Sequence, residues 1–98
     1  MQFTWNGAKG KANKKAHGVS FEEASQIFDD PLHVSVLDHR FDYFEERWIT
    51  IGHSNSGRIL VAGHLYSLAA DGEETIRIIT AREATKKERE RYENLERR

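Results

Sequence analysis

Residues 13–31, NKKAHGVSFEEASQIFDDP, limit the folds open to this chain more than any other segment. They prescribe a helix end, a sharp bend and a second helix start in one short stretch. Gly18 follows His17 where a helix commonly stops in the left-handed conformation that glycine adopts without strain. Ser20 with Glu23 three residues later reads as a capping box. The hydroxyl accepts from the Glu23 amide, and the carboxylate reaches back to the Ser20 amide. Phe21, Ala24, Ile27 and Phe28 then fall on one helical face, the spacing of a core-facing helix. Asp29-Asp30-Pro31 ends that helix at about Phe28, because the residue before proline is pushed out of helical geometry. Upstream, Asn6 is placed to cap a helix from about Gly7 to His17.

The rest of the chain reads mostly as strands. Phe3 and Trp5 alternate with polar residues, which predicts a short edge strand ahead of the first helix. Four runs follow the second helix: Leu32–Leu37, Arg47–Gly52 after an acidic loop, Arg58–Tyr66 and Thr75–Ala81. Ser54-Asn55-Ser56-Gly57 and Ala70-Asp71-Gly72 supply the later turns. Short turns imply an antiparallel meander. The last two runs are apolar at most positions, which places them centrally. Thr85 and Glu88 form a second capping box, opening a C-terminal helix with little beyond Tyr92 and Leu95 to offer a core. The expectation is an α+β fold: two N-terminal helices packed on a four-stranded antiparallel sheet, with a C-terminal helix. At 98 residues, positions 1–98 form one domain.

Composition narrows the functional classes. The chain has no cysteine, which excludes a disulfide framework and a thiolate metal site and suits a reducing compartment. No apolar run approaches the roughly 18 residues that span a bilayer, and the N-terminus lacks the pattern of a secretory signal. No membrane association and a cytoplasmic location are therefore expected. The five histidines (17, 33, 39, 53 and 64) form neither HxxxH nor HExxH, so no metal site is expected. With no GxGxxG and no GxxxxGK[ST], no nucleotide cofactor is expected either, and no GxSxG nucleophile elbow is present.

Charge is segregated even though the net value is −1. Residues 1–17 carry Lys9, Lys11, Lys14 and Lys15 and no acid, whereas residues 18–46 carry eight acids against Arg40 alone. His17 closes the lysine helix, and Arg77 and Arg82 bracket the last strand. Metal-free RNA cleavage needs a base for the 2′-hydroxyl, an acid for the leaving 5′-oxygen, and positive charge for the phosphorane-like transition state. Histidine, lysine and arginine supply all three. The arginines raise a geometric difficulty. Five residues apart on a regular strand, they point to opposite faces, and they share a site only if the strand ends or bulges near Ala81. A histidine at a helix C-terminus also stabilises that helix through its terminal carbonyls. Taken as residues alone, these groups leave nuclease, binding surface and ordinary solvated face all open.

A family resemblance adds to this. Its carriers are Trp5…Lys9…Asn13…His17-Gly18-Val19-Ser20-Phe21-Glu22-Glu23-Ala24, Phe28-Asp29-Asp30-Pro31, Glu45-Glu46-Arg47-Trp48…Gly52, Arg77-Ile78-Ile79-Thr80-Ala81-Arg82-Glu83-Ala84-Thr85 and Glu88-Arg89…Tyr92-Glu93. In this order they resemble the BrnT family of type II toxin–antitoxin ribonuclease toxins over nearly the whole chain. The resemblance implies a RelE-like fold, metal-independent RNA cleavage that blocks translation, and neutralisation by a BrnA-like antitoxin with a ribbon-helix-helix domain. DNA contact would then be indirect, through the antitoxin, with the complex repressing its own operon. Combined with the charge pattern, it assigns His17 and Lys9 to proton transfer or phosphate orientation. Arg77 and Arg82 go to phosphate charge, and Lys11, Lys14 and Lys15 to the RNA backbone. The chain departs from the family pattern in four places. Asn6 replaces an aspartate, Ala16 a lysine, and Thr80 a serine, and Tyr66-Ser67-Leu68 lacks an arginine for which His64 is a candidate substitute. The alternative these departures raise is a catalytically weakened homologue acting as an antitoxin-binding module in transcriptional autoregulation.

Overall fold

Local chemistry sets the helix ends. Asn6 is extended and its side chain accepts the Lys9 N–H at 3.0 Å, starting α1 (Gly7–His17). Gly18, at φ 72°, ends it with its N–H on the Lys14 carbonyl. Ser20 Oγ accepts the Glu23 N–H at 3.0 Å and starts α2 (Phe21–Ser25), which tightens into a 3-10 turn (Gln26–Asp29) ahead of Pro31. The first capping box is only half formed. The Glu23 carboxylate does not turn back to the Ser20 amide, because Arg58, Ser54 and Ser56 donate to it instead. The second box is complete: Thr85 N–H donates to Glu88 Oε1 at 2.8 Å and Glu88 N–H to Thr85 Oγ1 at 3.2 Å, opening α3 (Lys86–Glu96).

The computed structural model describes residues 1–40 and 45–96. Part of the acidic loop before Arg47 and the last two residues of the expected C-terminal helix lie outside the described residues. The strands are β1 (Gln2–Thr4), β2 (Val34–Leu37), β3 (Trp48–His53), β4 (Ile59–Leu68) and β5 (Glu74–Glu83), in the order β1-β5-β4-β3-β2. The meander β2-β3-β4-β5 is antiparallel, as the short turns from β3 to β4 and from β4 to β5 require. The predicted N-terminal strand joins it as a fifth member and runs parallel to β5, from Gln2 opposite Thr75 to Thr4 opposite Arg77. β2 starts at Val34 rather than Leu32 because Asp30 holds the preceding turn: its Oδ1 accepts the Leu32 N–H and its carbonyl the His33 N–H.

Side chains alternate across this sheet and divide it into two faces. Leu60, Ala62, Ile76, Ile78 and Ala81 face α1 and α2 and close a core with Val19, Phe21, Ala24 and Ile27. Val34, Val36, Ile49, Ile51 and Val61 turn to the opposite face, where α3 lies over them. Among the described side chains of that helix Tyr92 is the buried anchor, while Leu95 stays 44 % exposed. Gly52 permits close packing of the 3-10 turn on β3, since a Cβ there would stand 2.9 Å from the Ile27 carbonyl oxygen.

Candidate functional site

A β-bulge removes the geometric difficulty of the two arginines. Gly63 pairs with Thr80 but His64 pairs with Ile78, so β5 carries one extra residue at this point. Arg77 consequently lies opposite Leu65 and Arg82 opposite Val61. Leu65 and Val61 are four residues apart on β4 and share a face, so the arginines share it too. Both stand on the α3 side of the sheet. Arg77 is exposed and has no hydrogen-bond or ion-pair partner among the described residues. Arg82 is held: its guanidinium binds both Glu88 carboxylate oxygens, at 2.7 and 3.0 Å, and the Glu83 carbonyl. The Glu88 bond raises the Arg82 pKa, and Arg82 is the main reason the Glu88 carboxyl falls to about 2.

Helix α1 brings the other candidates to the edge of the same strand. β1 ends opposite Arg77, and past that point the Asn13 amide takes over the edge of β5. Asn13 Nδ2 donates to the Ala81 carbonyl at 2.8 Å and to the Val19 carbonyl at 2.9 Å, while its Oδ1 accepts the Ala81 N–H at 3.1 Å. Lys9, Asn13 and His17 form an i, i+4, i+8 ridge on this helix, so Lys9 and His17 flank the amide along β5, roughly 12 Å apart along the axis. Arg58 ties the His17 end of the helix to the end of β5. Its Nη2 donates to the Gly18 carbonyl at 3.2 Å, and its Nη1 pairs with Glu83 at 3.5 Å. The His17 end of α1 is thus fixed near the end of β5 that carries Arg82, whose side chain turns to the α3 face of the sheet rather than to the face that α1 covers.

The remaining lysines form a separate locus. Lys11 and Lys14 line an open groove of about 480 Å³ with Trp5, Gly7, Gly10, Ser20 and Glu22. Lys9 projects about 160° around the helix from Lys11 and takes no part in it. Lys15 is exposed beyond the groove. The lysine helix is thus two cationic flanks, one along β5 and one over the turn to α2.

Sequence reasoning missed two polar networks. In the first, Glu23 accepts from Arg58 Nε and Nη2, Ser54 Oγ and Ser56 Oγ; led by the Arg58 bond, these donors hold its carboxyl at about 2 against the opposing effect of burial. In the second, Asp30 accepts from the Tyr92 hydroxyl and the His53 N–H. Burial opposes its charge, but these donors outweigh it and hold the carboxyl below its usual range. Their partners lie 23 to 62 residues apart, so no local pattern signals them.

His64 does not stand in for an arginine. It is 3 % exposed on the α1–α2 face, away from Arg77 and Arg82, with its ring against Phe28. Burial lowers its pKa, only partly offset by the Leu65 carbonyl at Nδ1, and the neutral ring accepts from Thr50 Oγ1 at 2.7 Å. No group of three or more metal-ligating side chains suited to a metal ion occurs among the described residues. No helix among them is long and apolar enough to cross a membrane.

Comparison with known proteins agrees with this architecture. A search of curated proteins finds no match. Among solved structures, the chain resembles the 1.1 Å crystal structure of the Brucella abortus ribonuclease toxin BrnT, with a TM-score of 0.57 and 20 % sequence identity over 88 % of this chain and 99 % of that one. At that identity the likeness establishes the fold, which is RelE-like. Residues 5–88 match the family described as the ribonuclease toxin, BrnT, of type II toxin–antitoxin systems. That span takes in the capped α1–α2 corner, the bulged strand and the Arg82–Glu88 pair, and on it the chain belongs to the BrnT family of ribonuclease toxins.

Proposed function

We propose that this chain is the toxin of a type II toxin–antitoxin pair, cleaving RNA without a metal and neutralised by a BrnA-like ribbon-helix-helix antitoxin. The observation that carries this is the β5 bulge, which turns Arg77 and Arg82 to one face of the strand whose edge α1 holds through Asn13. RNA lying along β5 meets charge from the arginines on one side and the Lys9–His17 ridge on the other. Imidazole is the side chain that exchanges protons near neutral pH, so His17 serves the 2′-hydroxyl or the leaving 5′-oxygen. Lys9 orients a phosphate oxygen, and the guanidinium groups stabilise charge developing on the phosphorane. Lys11, Lys14 and Lys15 hold the backbone away from the reacting centre. The direct test is cleavage of a single-stranded RNA in EDTA by the wild type, His17→Ala, Arg77→Ala and Arg82→Ala. Cleavage by the wild type and loss of at least ten-fold in the variants is expected. An inactive wild type, or variants that all match an active one, overturns the proposal.

One observation favours a second reading, a weakened toxin that binds its antitoxin and acts in transcriptional autoregulation. Arg82 already holds a carboxylate with both guanidinium arms, which blocks a phosphate from the same donors. Under that reading expression causes no growth arrest, antitoxin binding is retained, and Glu88→Gln raises RNA cleavage by freeing Arg82.

A further inference from the structure

The groove between α1 and the start of α2 is built in a way that folding does not explain. Helix α1 has eleven residues and buries none of them, yet two are glycines: Gly7 in the first helical position and Gly10 in the interior, where glycine is about 1 kcal/mol worse than alanine. Neither has a positive φ. A Cβ on Gly7 would meet nothing within 4 Å, and one on Gly10 would reach only ordinary contact, 3.4 Å from Phe21 and 3.5 Å from Trp5. Neither backbone geometry nor packing requires these glycines. What they do is leave the floor of the groove free of side chains.

The walls are equally costly to the helix. Lys11 stands three and four residues from Lys14 and Lys15, spacings at which like charges repel. No acid lies in the first turn, and none of the four lysines has an ion-pair partner among the described residues. Trp5 closes one end, its indole edge-on to Phe21 at 6.2 Å and its N–H without a hydrogen-bond partner among the described residues. Glu22 stands on the α2 side and repels anions there. The groove is therefore polarised: an aromatic surface, a cationic rim on α1 and an anionic rim opposite. Sequence choices that weaken an element without a structural return mark a functional surface.

We propose that this groove is a nucleotide subsite for single-stranded RNA, with a base stacked on the Trp5 indole and its phosphate on Lys11 and Lys14. The inference rests on RNA being the ligand of this protein and adds a second contact point beyond β5. The volume, about 480 Å³, lies within the range of small-ligand sites. The cleared floor at Gly7 and Gly10 lets the sugar approach helix backbone. Glu22 fixes the polarity, keeping the phosphate on the lysine side. Stacking on an indole is tolerant of base identity, so the subsite supplies affinity and register.

The test uses a 2′-O-methyl hexanucleotide, which lacks the attacking hydroxyl and cannot be cleaved. Its binding is followed by indole fluorescence in the Trp48→Phe background, where Trp5 is the remaining reporter. Saturation is expected to quench the signal. Gly7→Leu, which places its side chain in open space and fills the groove, should weaken binding roughly ten-fold or more without changing the unfolding midpoint downward. Trp5→Ala should weaken it by roughly ten- to hundred-fold. Lys11→Ala and Lys14→Ala should each flatten the dependence of log affinity on log salt by about 0.7. Unquenched fluorescence at saturation, or wild-type affinity in folded Gly7→Leu and in both lysine variants, overturns the subsite. So does polyglutamate competing as well as the oligonucleotide, which would make the groove a seat for an acidic protein segment. The two proposals fail separately. Trp5-dependent binding by a protein that cleaves no RNA refutes the nuclease and leaves the groove standing. Cleavage with unaffected binding in the groove variants does the reverse.

Discussion

Asn13→Ala should cost this protein about 2–3 kcal/mol, a large share of the stability of a domain this size. The amide makes three hydrogen bonds, two of them to the backbone of Ala81, which is fully buried. Each is worth about 1 kcal/mol net, and an orphaned buried partner pushes the cost upward. The gain in helix propensity from asparagine to alanine returns about 0.6 kcal/mol. Urea titration should show a lower midpoint with an unchanged slope, and thermal unfolding a fall of roughly 10–20 °C. Asn13→Asp sharpens the test. The introduced carboxylate keeps the shape but has no donors, so it faces the Val19 and Ala81 carbonyls as a third acceptor. Near pH 7 it should be worse than Asn13→Ala. Those carbonyls raise its folded pKa above the unfolded value of about 3.9, so folding favours the protonated form. Relative to the wild type, the deficit shrinks below that unfolded value and grows as pH rises through the folded one. An Asn13→Ala variant within about 0.5 kcal/mol of wild type, or Asn13→Asp milder than Asn13→Ala at neutral pH, refutes this account of how α1 is held.

Three further outcomes are expected. Glu23 has a folded pKa of about 2 against an ordinary 4.5, so its stabilisation is complete above 4.5 and lost as pH falls toward 2. The loss is on the order of 2 kcal/mol after solvent screening, and Glu23→Gln should remove it from an acid titration followed by circular dichroism. Tyr92→Phe deletes the hydroxyl that donates to Asp30 and touches His53 Nδ1 at 3.0 Å; a loss of about 1.5–3 kcal/mol in urea unfolding should follow, as for a bond to a charged group. Gly10→Ala should raise stability by up to about 1 kcal/mol while weakening oligonucleotide binding, and a variant that binds more tightly would contradict the role given to the groove floor.

How far the site was legible depended on the range of the interactions that build it. His17, Gly18 and Ser20 announced themselves because caps act over three or four residues. The lysines were legible as charge, but their division into two flanks follows from where α1 touches β5 and Trp5, which no local pattern encodes. The arginines are the clearest case. Alternation along a strand set Arg77 and Arg82 on opposite faces, and a single extra residue in β5, defined only by pairing with β4, turned them to the same face. Glu23 was assigned to the Ser20 amide because that partner is near in sequence, but Arg58 is stronger and arrives from 35 residues away.

Taken alone, the sequence determined what short-range chemistry and periodicity can carry: both N-terminal helices and their caps, the meander, and the family. Only the tertiary structure decided the parallel placement of β1, the bulge that gathers the arginines, the pairing of Arg82 with Glu88 and the open groove on α1. The physical reason is that a cap or a turn closes within one stretch of chain, whereas strand register and ion pairing are settled by competition among groups that meet only once the sheet has formed.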